Sequence, residues 1–204
     1  RRPAERLSRP RQSLTIMLQA IAKTILKIGG WEIVGTKPLA PKAVVVAAPH
    51  TSNWDGFWGL VCRVAMDVEI HFFAKQSLFW FPLNVLLRSL GGIPLDRKRA
   101  GSAVDQAIEM FGNSESFYFG LAPEGTRSRV DHWKSGFYRI AEGADVPVVL
   151  GFLDYGKRRI GLGPTFSLSG DWHKDLAFCR DFYADIKGRW PDKAGPVTFP
   201  AEPR

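Results

Sequence analysis

The sequence has no apolar run near the roughly 18 to 20 residues that a membrane-spanning helix requires, and no secretory signal is evident. It therefore predicts a protein that does not cross a membrane. Cysteine is also scarce, because Cys62 and Cys179 are the only two among 204 residues. Two cysteines without metal-ligand spacing cannot build a disulfide framework, so we expect reduced, packed thiols in a cytosolic setting.

Paired metal-ligand spacing is absent among the histidines, which are His50, His71, His132 and His173. We therefore expect no bound metal. Internal repeats and low-complexity segments are missing as well. A chain of 204 residues that is 45% hydrophobic can bury one full core, which predicts a single domain.

Acidic residues are fewer than basic residues in this sequence. Twenty-eight Lys and Arg against twenty Asp and Glu give a net charge of +8, which favours nucleic acid, an anionic membrane surface or phosphorylated substrates as partners. Residues 1–12 carry five Arg and one Glu and are predicted to be a disordered or surface-binding basic tail. Nucleic acid is the least favoured partner, since no groove-reading motif or basic cluster with interleaved aromatics occurs.

Residues 13–30 follow the tail and show helical periodicity. Apolar side chains recur at spacings of four and three, at Leu14, Leu18, Ile21, Ile25 and Ile28. Gly29 and Gly30 then end the pattern. The apolar stripe of this amphipathic helix has two interpretations, which are packing on the domain core or lying in a membrane interface beside the basic tail.

Residues 31–204 alternate short apolar runs with helical patterns, which predicts an α/β fold: one domain with a central mixed, largely parallel sheet flanked by helices. Strands are predicted near 31–35, 42–48, 68–74, 116–121 and 146–153. Helices are predicted near 55–66, 102–111, 135–143 and 172–190.

A polar cluster follows the most apolar of these strands. Val44 to Ala48 is closed by Pro49, and the run PHTSNWD then brings His50 within five residues of Asp55. The carboxyl end of a strand is where open α/β sheets bind ligands. The two side chains can meet if His50 lies in the loop and a helix begins near Asp55, capped by Thr51, Ser52 or Asn53.

Three further stretches accompany this one: GGIPLDRKR at 91–99, APEGTRSR at 122–129 and VPVVL at 146–150. In this order and at this spacing, the four blocks resemble the glycerolipid acyltransferase family, which contains the bacterial 1-acyl-glycerol-3-phosphate acyltransferases. The resemblance covers roughly residues 30–165. It implies that His50 is the catalytic base and that Asp55 orients its ring, while backbone N–H groups at the start of the following helix are candidate oxyanion donors.

The resemblance also implies a substrate-binding site for a phosphate-bearing acceptor, built from Arg97, Glu124, Gly125, Thr126, Arg127 and Lys134. It implies no bound cofactor, with acyl-CoA or an acyl-carrier-protein thioester as co-substrate. The apolar stretch at 77–95 is a candidate wall for the acyl chain, through Phe79, Trp80, Phe81 and Leu86, although core packing would explain most of these residues equally well.

The resemblance implies acyl transfer to a lysophospholipid, above all 1-acyl-glycerol-3-phosphate, by a cytoplasmic enzyme peripheral to the inner face of an anionic membrane. Another lysolipid or a small hydroxyl compound is an alternative acceptor. A thioesterase or a hydrolase with Ser52 as nucleophile is a second alternative, although no G-x-S-x-G elbow occurs. A basic module that binds nucleic acid or a membrane is the alternative that is not an enzyme.

Overall fold

The computed structural model describes residues 9–95 and 102–200, with side chains from residue 12 onward. The elements in chain order are α1 (Arg9–Ile28), β1 (Glu32–Val34), β2 (Lys42–Ala48), α2 (Asn53–Ala65), β3 (Ile70–Lys75), α3 (Leu83–Ser89), β4 (Gly92–Leu95), α4 (Ala103–Gly112), β5 (Phe117–Leu121), α5 (Gly136–Ala144), β6 (Val148–Asp154), β7 (Arg159–Phe166) and α6 (Trp172–Tyr183). Two short 3₁₀ helices lie at Gln76–Leu78 and Pro191–Lys193.

The strands form one seven-stranded sheet in the order β1-β7-β6-β2-β5-β3-β4. All neighbours are parallel except β6 and β7. The predicted α/β fold with a mixed, largely parallel sheet is confirmed. Strands β4 and β7 and helix α3 were not predicted. Strand β4 contains a proline, and β7 is interrupted by two glycines and a proline. These residues weaken the pattern by which a strand is recognised. The predicted helix at 172–190 ends earlier, at Tyr183.

The central strand β2 is covered on both faces, as a continuous apolar run predicts. Val44 and Val46 point into the core shared with α4, α5 and α6, whereas Ala43 and Val45 point to the opposite face. Because β5 and β6 lie parallel to β2 on either side, the carboxyl ends of these three strands meet at one edge of the sheet. The loop that contains His50 begins at that edge.

Helix α1 packs on α2 through a different face from the one that its periodicity suggests. Ala22 and Leu26 are buried in a cluster with Trp31 and Cys62. The predicted apolar stripe is between 37% and 82% exposed, at Leu14, Leu18, Ile21, Ile25 and Ile28. The structure thus does not support the interpretation that the stripe packs on the core. No helix among the described residues is both long and apolar enough to cross a membrane.

Cys62 and Cys179 are buried free thiols, as predicted. Burial raises the pKa of each thiol to about 12, so both behave as packing groups. Across 9–95 and 102–200, no group of three or more His, Cys, Asp or Glu side chains could hold a metal ion. Residues 1–8 of the predicted basic tail lie outside the described residues.

Candidate active site

The loop after β2 is shaped by the start of α2. Ser52 is the N-cap residue: its hydroxyl accepts a hydrogen bond from the Trp54 N–H, while the Asp55 carboxylate accepts one from the Ser52 N–H. This reciprocal capping satisfies donors that a helix start would otherwise leave without partners. It also turns Asp55 back toward the loop, where His50 lies.

His50 and Asp55 form the predicted pair, with Nδ1 of His50 3.3 Å from Oδ2 of Asp55. Asp55 is 4% exposed. Its Oδ2 also accepts the N–H groups of Thr51 and Ser52, each at 2.8 Å, and its Oδ1 accepts the hydroxyl of Tyr155 at 2.8 Å. Burial alone would raise the pKa of Asp55, but the hydrogen bonds from His50, Tyr155, Ser52 and Thr51 outweigh it and lower that pKa.

This geometry fixes the roles of the two ring nitrogens. Because Nδ1 of His50 faces an ionised carboxylate, Nε2 is the nitrogen left to accept a proton from a substrate. The imidazole side chain is 24% exposed, so a substrate can approach it. An Asp–His pair of this kind supplies a general base whose protonated form the carboxylate stabilises.

Glu124 supports the same loop from the neighbouring strand end. Its Oε1 accepts the backbone N–H of His50 at 3.0 Å. Its Oε2 is buried and has no hydrogen-bond partner among the described residues. Burial raises the pKa of this carboxyl, although the hydrogen bond from His50 opposes the shift. Glu124 therefore braces the His50 backbone.

Gly125 lies in the loop after β5 and has a positive φ of 66°, which favours glycine. A Cβ built there would lie 2.8 Å from Nζ of Lys134. A side chain at this position would displace the flexible end of this lysine from the loop. Thr126 and Arg127 follow, and both line a cavity that contains His50 and Asp55. The predicted phosphate ligand Arg97 lies outside the described residues.

The cavity has a volume of about 710 Å³, within the range of small-molecule sites. One wall is a single face of α2, formed by Asp55, Gly56, Gly59, Leu60 and Arg63. The rest of the lining comes from β2, β3 and β5, including Val45, Ile70, Phe72 and Gly120, and from residues of α4 and α5. Strands β3 and β5 share only two register pairs before they separate, which opens the space between them.

The residues predicted to line the acyl chain lie elsewhere. Phe79, Trp80, Phe81 and Leu86 are absent from the lining of this cavity. Trp80, Phe81 and Leu86 are 59%, 79% and 54% exposed, and Arg88 stacks over the Phe79 ring. A run of aromatic and aliphatic residues indicates an apolar surface, but sequence alone does not show whether that surface faces inward or outward.

Two residues that contact the His50–Asp55 segment were not predicted. Tyr155 follows the carboxyl end of β6 and contacts Asp55, and the backbone N–H of Trp190 donates to the Thr51 hydroxyl at 3.2 Å. A signal for Tyr155 does exist, because a polar residue just after a strand is a candidate site residue once that strand is known to lie beside β2. The contact of Trp190 has no comparable signal.

Three of the backbone N–H groups near the predicted oxyanion position are already engaged. The N–H groups of Thr51 and Ser52 bind Asp55, and the Trp54 N–H binds the Ser52 hydroxyl. The same contacts argue against Ser52 as a nucleophile, because its side chain is a buried helix cap rather than a partner of the His50 ring.

An imidazole that is paired with a buried carboxylate and lines a cavity can take a proton from a hydroxyl group. The chain belongs to the acyltransferase family, whose model, described as Acyltransferase, matches residues 31–149. Acyltransferases of this family need no cofactor, since the acyl donor is a co-substrate.

Among solved structures, the chain is similar to the crystal structure of the 1-acyl-sn-glycerophosphate (LPA) acyltransferase PlsC from Thermotoga maritima. The TM-score is 0.61 at 23% sequence identity, covering 90% of this chain and 86% of that chain. At this identity the likeness shows a shared fold. A search of curated proteins found no significant match.

Proposed function

We propose that this acyltransferase moves a fatty acyl group from acyl-CoA or an acyl-carrier-protein thioester to the hydroxyl of a lysophospholipid, above all 1-acyl-glycerol-3-phosphate, in phospholipid synthesis. The observation that carries the proposal is the His50–Asp55 pair at 3.3 Å in a cavity that joins Arg127 to an apolar channel. These parts match the three portions of the reaction, which are a hydroxyl, a phosphate and an acyl chain.

In the reaction, Nε2 of His50 accepts the acceptor's hydroxyl proton as its oxygen attacks the thioester carbonyl. Asp55 holds the ring and stabilises the imidazolium that forms. The tetrahedral intermediate then collapses, the C–S bond breaks, and the thiolate takes the proton from the imidazolium. The products are the ester and the free thiol, and His50 returns to its starting form.

The acceptor's phosphate would bind at the loop after β5. Arg127 lines the cavity, and its planar guanidinium matches phosphate oxygens. Lys134 lies against Gly125 in the same loop and adds a second cation. Glu124, which is 3% exposed and absent from the cavity lining, would act by bracing the backbone of His50. Arg97 completes the proposed phosphate site, as the family resemblance implies.

The acyl chain would occupy the channel between α2 and the separating strands β3 and β5. Gly56 and Gly59 leave its α2 wall open, since a Cβ added at either position would meet no atom within 4 Å. Each buried methylene contributes about 0.8 kcal/mol, so an apolar channel supplies most of the binding energy of a long chain.

The exposed stripe of α1 would rest on the cytoplasmic face of an anionic membrane. An apolar stripe this exposed is unusual on a free surface, and the net charge of +8 favours anionic lipid. We expect Ile21→Glu/Ile28→Glu to weaken binding to phosphatidylglycerol vesicles at least tenfold. Leu39→Glu, which changes a fully exposed leucine outside α1, is the matched control. Equal binding by both variants would contradict the membrane role of α1.

The reaction is tested with radiolabelled long-chain acyl-CoA and acyl-carrier-protein donors and a panel of lysophospholipids. His50→Ala should lower turnover by a factor of about 10² to 10⁴, the usual contribution of a general base. His173→Ala changes an exposed histidine on α6 and serves as the control. Free fatty acid as the only product would indicate a thioesterase, and activity that survives in His50→Ala would refute the assigned base.

The phosphate site is tested separately. Arg127→Ala should raise KM for lysophosphatidic acid about tenfold or more, because a hydrogen bond to a charged group contributes about 1.5 to 3 kcal/mol. The same variant should leave KM for monoacylglycerol, which has no phosphate, nearly unchanged. An equal loss with both acceptors would remove the phosphate role.

A further inference from the structure

We propose that Tyr155 is a positioning residue, which holds the Asp55 carboxylate in the one rotation that presents Oδ2 to His50. This inference rests on the proposed function of the His50–Asp55 pair. Oδ2 is occupied by two backbone N–H groups and by the imidazole. The Tyr155 hydroxyl, at 2.8 Å, is the donor that the described residues supply to Oδ1.

The position of Tyr155 is itself fixed by two contacts. Its backbone N–H donates to the Lys187 carbonyl at 2.8 Å, and its ring meets Trp31 edge-on with ring centroids 4.8 Å apart. The adjoining turn is held by Asp154, whose Oδ1 accepts the N–H groups of Gly156, Lys157 and Lys187. The hydroxyl is therefore presented to Asp55 by a rigid element.

Tyr155 lies beyond residues 31–149, the part of the chain that the family model matches. His50 and Asp55 come from one short stretch, the loop after β2 and the first turn of α2. The hydroxyl donor to Asp55 comes instead from the turn between β6 and β7, which is held by a segment after α6. Parallel pairing of β2 with β6 brings the two strand ends side by side. The positioning of Asp55 thus depends on a region outside the acyltransferase motifs.

The hydroxyl suits this role because it remains a donor. Burial, together with the hydrogen bond to Asp55, raises the pKa of Tyr155, so the phenol stays protonated throughout the working pH range. The charged or titratable groups around the pair are His50 and Glu124 near Asp55 and Arg189 near Tyr155. Without the hydroxyl, Oδ1 would be a buried carboxylate oxygen short of a donor, and the carboxylate would rotate more freely.

Tyr155→Phe tests the role, because it removes the hydroxyl and keeps the ring on Trp31. We expect kcat for acyl transfer to fall about tenfold, KM for donor and acceptor to change less than twofold, and the acid limb of the pH–rate profile to move to higher pH. The limb reports the His50–Asp55 pair as a unit. A ¹³C NMR titration should show the Asp55 carboxyl midpoint moving upward in the variant.

Tyr118→Phe is the matched control, since its hydroxyl donates to the Pro38 and Ala40 carbonyls and it does not line the cavity. It should lose stability while keeping kcat and the pH profile. If Tyr155→Phe behaves like Tyr118→Phe, the hydroxyl is only structural and the proposal is overturned. If the wild type shows no acyl transfer but the Asp55 midpoint still moves, the proposed function fails and the positioning contact stands.

Discussion

Gly59 is a position at which the proposed acyl-chain channel can be closed without a steric clash at the Cβ. It lies on the face of α2 that lines the cavity, four residues or about 6 Å along the helix axis from Asp55. A Cβ there meets open space, and replacing a helical glycine gains up to about 0.8 to 1 kcal/mol in helix propensity. Gly59→Leu should therefore fold and fill the channel near the reach of a hexanoyl chain.

The expected effect follows from the methylenes that leucine displaces. If its side chain removes room for about three methylenes at about 0.8 kcal/mol each, binding of a long chain loses about 2.4 kcal/mol. With 1.36 kcal/mol for each factor of ten in rate, kcat/KM for palmitoyl-CoA should fall about 60-fold. The value for hexanoyl-CoA should change little, because that chain ends near residue 59.

The assay compares kcat/KM for palmitoyl-CoA and hexanoyl-CoA in wild type, Gly59→Leu and Gly112→Leu. Gly112 ends α4, is also open to an added Cβ and does not line the cavity, so it controls for the change of residue type. An unchanged ratio in a folded Gly59→Leu enzyme would refute the channel. That result would instead favour the exposed residues Phe81 and Leu86 as the surface that binds the acyl chain.

Three further predictions concern the rest of the cavity. Arg63 lines the cavity, and its buried Nε has no hydrogen-bond partner among the described residues. Arg63→Met should shift the preference for acyl donors toward longer chains in the same assay. An unchanged preference would place the end of the acyl chain elsewhere. Burial raises the pKa of Glu124 in the folded protein. The protonated carboxyl therefore makes its full contribution to stability below the ordinary pKa of 4.5, and this contribution is lost as the pH rises through the folded-state pKa. Glu124→Gln should flatten the fall of Tm above that pH, and a slope equal to that of wild type would contradict the shift. Gly125 has a positive φ and lies against Lys134, so Gly125→Ala should cost about 1 kcal/mol or more of stability. The same variant should raise KM for phosphorylated acceptors. An unchanged Tm would show that the loop relaxes around the added methyl group.

Sequence reasoning was most successful where local chemistry decides the structure. The bounds of β2 agree with prediction at Lys42–Ala48, because a β-branched apolar run closed by proline has few other conformations. The His50–Asp55 contact also followed from local geometry, since a cap at Ser52 turns the first helical turn back on the loop. Both features depend on residues close together in the chain.

Sequence reasoning was least successful where the answer depends on which elements become neighbours. The apolar stripe of α1 looks like a packing face, yet the helix buries Ala22 and Leu26 instead, in a cluster with residues of α2. The wall of the cavity comes from the glycine face of α2 and from a gap between β3 and β5. Neither a gap nor the absence of side chains produces a hydrophobic signal.

Sheet order explains why the site has three parts with separate roles. Strands β6, β2 and β5 are adjacent and parallel, so the segments after their carboxyl ends meet. The segment after β2 supplies the proposed base His50 and its partner Asp55, the segment after β5 supplies Glu124 and Arg127, and the segment after β6 supplies Tyr155. Glu124 contacts the backbone of His50 and Tyr155 contacts Asp55, so the central pair is held from both sides. The arrangement of the His50–Asp55 pair therefore depends on contacts from both flanking strands as well as on the spacing of the two residues in the chain.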